Sequence, residues 1–168
     1  NKGRGIAIGM EAEPNLIENV CERNYIGIHY GERAAGVARR NQSRDNEAVG
    51  IAVSGKSHPI LESNHCSGNN EYGISINDEA RPTLKTNICQ DNGGGILYYD
   101  SASGTAHANR CEANGTHGIE LDNNAAPELS ENICQKNQRG GIVYIGSSGG
   151  VAKRNQCNDN GEFGIVII

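Results

Sequence analysis

The sequence predicts an all-β chain wound as a parallel β-solenoid, about 7–8 coils of 22–23 residues with three short strands in each. One observation is a fixed step. Asn19, Asn41, Asn64, Asn87, Asn109, Asn132 and Asn155 recur every 22 or 23 residues, and five residues beyond them stand Asn24, Asn46, Asn69, Asn92, Asn114, Asn137 and Asn160. Another is a series of eight Gly-Ile pairs, from Gly5-Ile6 through Gly95-Ile96 to Gly164-Ile165, that keeps the same step. A period of this length marks stacked supersecondary units, each of which buries its apolar face only against its neighbours. A third observation, an exchange of side-chain volumes between two columns, sets two of the strands face to face.

Each coil reads as three strands in order. Gly-Ile-x-Ile alternates with period two and has no helical periodicity, so it forms the first strand. Pro-x-Leu forms the second, with Pro at its entry. Asn-x-Cys forms the third. A leucine-rich repeat fits Leu16-x-x-Asn19-x-Cys21 but requires leucine where this chain carries Pro14, Gly36, Pro59, Pro82, Gly104, Pro127 and Gly150. A strand with Pro or Gly at its centre in every repeat is hard to build.

The inward position two after the Gly-Ile isoleucine reads Ile8, Tyr30, Val53, Ile76, Tyr98, Leu121, Tyr144. The inward position of the second strand reads Leu16, Ala38, Leu61, Leu84, Ala106, Leu129, Ala152. Tyr always accompanies Ala, and an aliphatic always accompanies Leu. Close-packed interiors conserve volume in this way when two columns share one core.

The six cysteines, Cys21, Cys66, Cys89, Cys111, Cys134 and Cys157, fall in one column, with Ser43 in the remaining place. Rungs ~4.8 Å apart with side chains pointing the same way are wider than the ~3.8 Å a disulfide wants between β-carbons. The column is therefore a ladder of buried free thiols. Such thiols lean towards a reducing compartment, although the localisation is left open. The Asn columns read as structural: Asn tolerates unusual backbone angles at bends, and stacked amides bond along the axis. Gly before each Ile reads as serving the turn into the first strand.

Composition limits the function. A net charge of −5, with no stacked row of Lys or Arg, disfavours nucleic acid, which needs a basic stripe. No apolar run approaches the ~18 residues of a membrane span, so no membrane partner is expected. The repeat fills residues 1–168, giving one domain. The chain lacks an initiator Met and stops within a repeat at Gly164-Ile-Val-Ile-Ile168, so it reads as part of a longer protein.

The Asn-x-Cys, Gly-Ile-x-Ile and Pro-x-Leu columns resemble the right-handed parallel β-helix repeats of the pectin-lyase-like superfamily, including its carbohydrate-binding and sugar-hydrolase repeat domains. The resemblance covers essentially the whole chain. It implies that any chemistry lies on the outer face of the first strand. There Asp78, Asp100, Glu120 and Asp122 cluster near Tyr99, a set that could hold a sugar on the Tyr99 ring or a calcium ion. No other cofactor is expected. The Asn-Thr-Asp, Asp-Asp, Gly-His-Gly and Arg-Ile-Lys signatures of polygalacturonase-like enzymes are missing, so no catalytic residue is assigned. An enzyme of this type would be a polysaccharide lyase or glycoside hydrolase. The five histidines occupy different columns and offer no metal spacing. Gly93-Gly94-Gly95 reads as a turn.

Leu97, Val143, Ile145 and Val166 form an apolar row on the same face and mark a candidate interaction surface. The expectation is a non-catalytic binding or scaffold module for a protein partner, or one that self-associates end to end or face to face. The alternative is a carbohydrate-binding or polysaccharide-processing β-helix whose ligand groove follows the first strand.

Overall fold

The computed structural model describes residues 1–168, a succession of short strands joined by turns, bends and irregular connections, without a helix. It is a parallel β-solenoid with three sheets. The first sheet stacks Arg4–Ile8, Ile26–Tyr30, Ile51–Val53, Tyr72–Ile76, Gly94–Tyr98, Ile119–Leu121, Gly140–Tyr144 and Phe163–Ile167. The second stacks the strands from Asn15–Ile17 to Val151–Lys153, and the third those from Val20–Glu22 to Gln156–Asn158. Every pairing is parallel and in repeat register, so Ile74 lies between Ile51 and Ile96, and Cys89 between Cys66 and Cys111.

One apolar column fills the interior. Tyr30, Tyr98, Ala38 and Ala106 are fully buried within it, as the paired volumes require. The hydroxyls of Tyr30 and Tyr98 have no hydrogen-bond partner, and burial pushes the Tyr30 hydroxyl up to about 12. All six cysteines are free. Burial pushes the Cys21 thiol up as well, keeping it protonated and unreactive. Ser43 fits the thiol column because its hydroxyl is satisfied there: it donates to the Gly50 carbonyl at 2.7 Å and accepts from Asn46 Nδ2 at 3.2 Å.

The two asparagine columns are continuous amide ladders. Asn87 shows the unit. Its Nδ2 donates to Asn109 Oδ1 at 2.9 Å and to the Leu61 carbonyl at 2.8 Å, while its Oδ1 accepts from the backbone N and Nδ2 of Asn64, both at 3.0 Å. Each buried amide is thereby fully satisfied. The second column has an additional member at the start, since Asn1 Nδ2 donates to Asn24 Oδ1 at 3.1 Å.

Two expectations are corrected here. The left-handed backbone at these corners belongs to the residue before each Asn, not to the Asn itself. Glu18, Arg40, Ser63, Thr86, Ala108, Glu131 and Arg154 have φ of 51–57°, and their counterparts from Arg23 to Asp159 before the second column have φ of 54–55°, apart from Gly68 at 64°. That kink swings the following side chain inward, where the ladder holds it. A non-glycine residue in this region costs roughly 1–2 kcal/mol, which the ladder bonds offset. Gly before each Ile from Gly5 to Gly141 serves close approach rather than a turn, because those glycines are absent from the positive-φ positions and a Cβ on each would meet an atom under 3.0 Å away. A Cβ at Gly27 would come 1.8 Å from Ser43 Oγ, and one at Gly95 would come 2.1 Å from the Gly118 carbonyl oxygen. In the Tyr/Ala coils, Gly36, Gly104 and Gly150 do need φ of 91–99°, a conformation closed to the proline that fills this column elsewhere.

Candidate functional site

The first sheet presents its outer face to solvent along eight strands, and its register fixes which side chains are neighbours. Glu120 stands between Leu97 and Val143. Backbone bonds from Asp122 to Tyr98 and from Ile145 to Leu121 carry the same stacking to the strand ends. Tyr99 projects from this edge with 38% of its surface exposed.

The acids have separate partners. Asp100 and Asp122 are tied through Asn123: its Nδ2 donates to Asp100 Oδ1 at 3.1 Å and its backbone N–H to Asp122 Oδ1 at 2.6 Å. Asp78 faces the other way along the stack and accepts from the Gly55 backbone N–H at 2.7 Å. Asp78, Asp100 and Asn123 also share a left-handed turn position, with φ of 58–60°, which Asp and Asn occupy more readily than most residues. Thus Asn123 ties Asp100 to Asp122 beside Tyr99, while Asp78, one rung from Asp100 in the same column, is bonded to the preceding coil. No three His, Cys, Asp or Glu side chains form a group that could hold a metal ion.

Glu120 has a partner that the sequence reading missed. Tyr72 lies across the intervening coil and donates its hydroxyl to Glu120 Oε2 at 3.0 Å. The crossing is possible because Gly94 stands beneath the ring, where a Cβ would lie 2.4 Å from Tyr72 Cε1. Gly94 is the first residue of a strand, so the Gly93-Gly94-Gly95 run is not simply a turn. Burial first, then the Glu120 charge, raises the Tyr72 hydroxyl well above its ordinary pKa.

The same device recurs two coils on. The Gly140 N–H donates to His117 Nδ1 at 3.0 Å, which leaves the ring proton of the neutral form on Nε2. Burial lowers the His117 pKa; Glu120 and Glu162 act against that shift, and Arg139 acts with it. The column Tyr72, Gly94, His117, Gly140 was legible as large residues alternating with glycine.

The apolar row is only partly open. Leu97, Ile145 and Val166 are partly exposed, but Val143 is 1% exposed and belongs to the packed surface rather than to an interaction face. It is covered because its Cγ2 lies over Gly140, 2.7 Å from where a Cβ would stand.

At the other end of the face, a depression of about 350 Å³ is bordered by Arg4, His29, Glu32 and Ser54. A larger open one, about 710 Å³, follows the turns at Met10, Glu32, Arg33 and Lys56. Neither includes the acids named above.

Among solved structures, a mutant of the periplasmic alginate epimerase AlgG superposes with a TM-score of 0.75 at 24% identity, over 86% of this chain and 34% of that one. The present chain therefore spans about a third of that enzyme, and the likeness is one of fold. Comparison with curated protein sequences gives no match. The family described as "Right handed beta helix region" matches residues 1–103 and again 38–168, and the chain belongs to that family of right-handed parallel β-helices.

Proposed function

We propose that this β-helix binds a glycan laid along the outer face of its first sheet, with Tyr99 as the stacking ring and Asp100, Glu120 and Asp122 as hydroxyl acceptors. The observation that carries the reading is the Tyr72–Glu120 bond across the Gly94 coil. It adds nothing to the interior, yet it fixes a carboxylate on an open face near a partly exposed aromatic ring. Sugar sites combine an apolar platform with a few fixed polar groups in this way. Stacked rungs ~4.8 Å apart also suit an extended, repeating ligand. The polysaccharide-modifying enzyme of like fold is consistent with a carbohydrate ligand.

A protein partner is the second reading, favoured by the partly exposed Leu97, Ile145 and Val166. A glycan array probed with and without calcium separates the two. Specific binding that disappears in Tyr99→Ala and Asp122→Ala supports the glycan reading. Absence of binding to any glycan, together with pull-down partners lost on charge reversal at Ile145, would establish the protein reading instead.

A further inference from the structure

The depression at the N-terminal end of the first sheet shares no residue with the Tyr99 region. Its floor is open because the residues there are small. Ala7 and Gly31 occupy the two outward columns that later carry Glu120 and Asp122. The His29 ring lies down over Gly31, where a Cβ would stand 2.7 Å from His29 Cε1, and Nε2 is held by Ser54 Oγ at 3.2 Å. The imidazole is thus fixed on the wall rather than waving in solvent.

Arg4 closes the other side. Arg33 and Lys56, which border the neighbouring depression, are each engaged by a carboxylate, from Glu11 and Glu79 respectively, at 3.4 Å. Arg4 has neither an ion pair nor a side-chain hydrogen bond, and it lies close enough to act on His29. Glu32, at the far end, is committed to the Met10 N–H at 2.7 Å. The result is one free guanidinium and one oriented imidazole at one end, with a carboxylate at the other. Guanidinium forks match planar and tetrahedral oxyanions. The Glu32 charge discourages a second anion and suits a hydroxyl donor.

We propose that this depression is a binding site for a single oxyanion group, a carboxylate or a sulfate, carried on a small hydroxylated ligand, with Arg4 and His29 as its recognition pair and Ser54 holding His29 in place. The volume is in the range of small-ligand pockets. Binding places a negative charge beside His29, so it must raise the His29 pKa, which burial and Arg4 otherwise hold down. Affinity must accordingly increase as pH falls.

The test is an NMR titration of the His29 ring signals in the intact chain at constant ionic strength. The probes are inorganic sulfate, a hexuronic acid and glucose. The expected result is a saturable shift and an upward move of the His29 titration midpoint with sulfate, the uronic acid or both, none with glucose, and loss of the effect in Arg4→Gln. Which anion acts identifies the source of the oxyanion. Arg4 is exposed, so the variant keeps the fold, and a wild-type spectrum elsewhere verifies this. No saturable shift with either anion, or an equal shift in Arg4→Gln, overturns the proposal. Failure of glycan binding at Tyr99 leaves it untouched.

Discussion

The two faces of the first sheet obey different rules. Inward, Ile28, Ile51, Ile74, Ile96, Ile119 and Ile142 repeat without change, every one of them fully buried. Outward, the same strands carry His29, Ala52, Ser75, Leu97, Glu120 and Val143 in register, and no two alike. A solenoid coil is stabilised by its neighbours, so the inward columns must be uniform or compensate one another in volume for each coil to template the next. The outward columns are released from that demand. Tyr72 and His117 nonetheless acquire defined partners there, the Glu120 carboxylate and the Gly140 N–H.

This contrast predicts that inward changes lower stability and outward changes alter binding or local geometry. The largest loss belongs to Asn87→Ala, which strands the Asn64 backbone N–H and amide in a buried setting. It should cost about 3–4 kcal/mol in denaturant unfolding; a loss below about 1 kcal/mol would remove the ladder from its central place. Next, Ala106→Leu forces excess volume beside Tyr98 and should cost about 1–3 kcal/mol. Pairing it with Tyr98→Val should restore much of that, and strict additivity would show that the columns do not face each other.

Outward effects are smaller. Gly94→Ala pushes the Tyr72 ring off its shelf and breaks its bond to Glu120, at a cost of about 1 kcal/mol. The Tyr72 hydroxyl should then titrate at lower pH in an NMR experiment, since burial and Glu120 no longer raise it; an unmoved titration would contradict the crossing geometry. The smallest effect concerns acid. His117 has a folded pKa below its unfolded value, so the folded state favours the neutral ring. Its contribution is present above the ordinary histidine pKa of about 6.5 and is lost as pH falls through that value towards the lowered one. Stability measured from pH 7 to 5 should decline less steeply in His117→Gln than in wild type, and identical slopes would count against this account.

Much of this was legible in the sequence, for a physical reason. Columns stacked coil on coil leave a period, so the Asn ladders, the thiol ladder and the volume exchange of Tyr/Ala coils are legible in the residue spacing. Backbone detail was less legible. The left-handed kink falls on Glu18, Arg40 or Thr86, residue types that give no hint of it, and the close approach at Gly27 depends on what lies across the core. The outer face was legible only as a set of positions. Asp100, Glu120, Asp122 and Tyr99 were found by counting along strands, but Tyr72 reaches its acceptor across 48 residues of sequence. Val143 was misjudged because alternation reports which way a side chain points and not what covers it.

The most direct test of the separation between faces is Tyr72→Phe, which removes one hydroxyl from the outer surface and nothing from the core. Unfolding in denaturant and glycan binding should be measured on the same preparation. A stability loss of no more than about 1 kcal/mol, accompanied by loss of glycan binding, is the predicted result. Unfolding as severe as that of Asn87→Ala, or binding that persists unchanged, would contradict it.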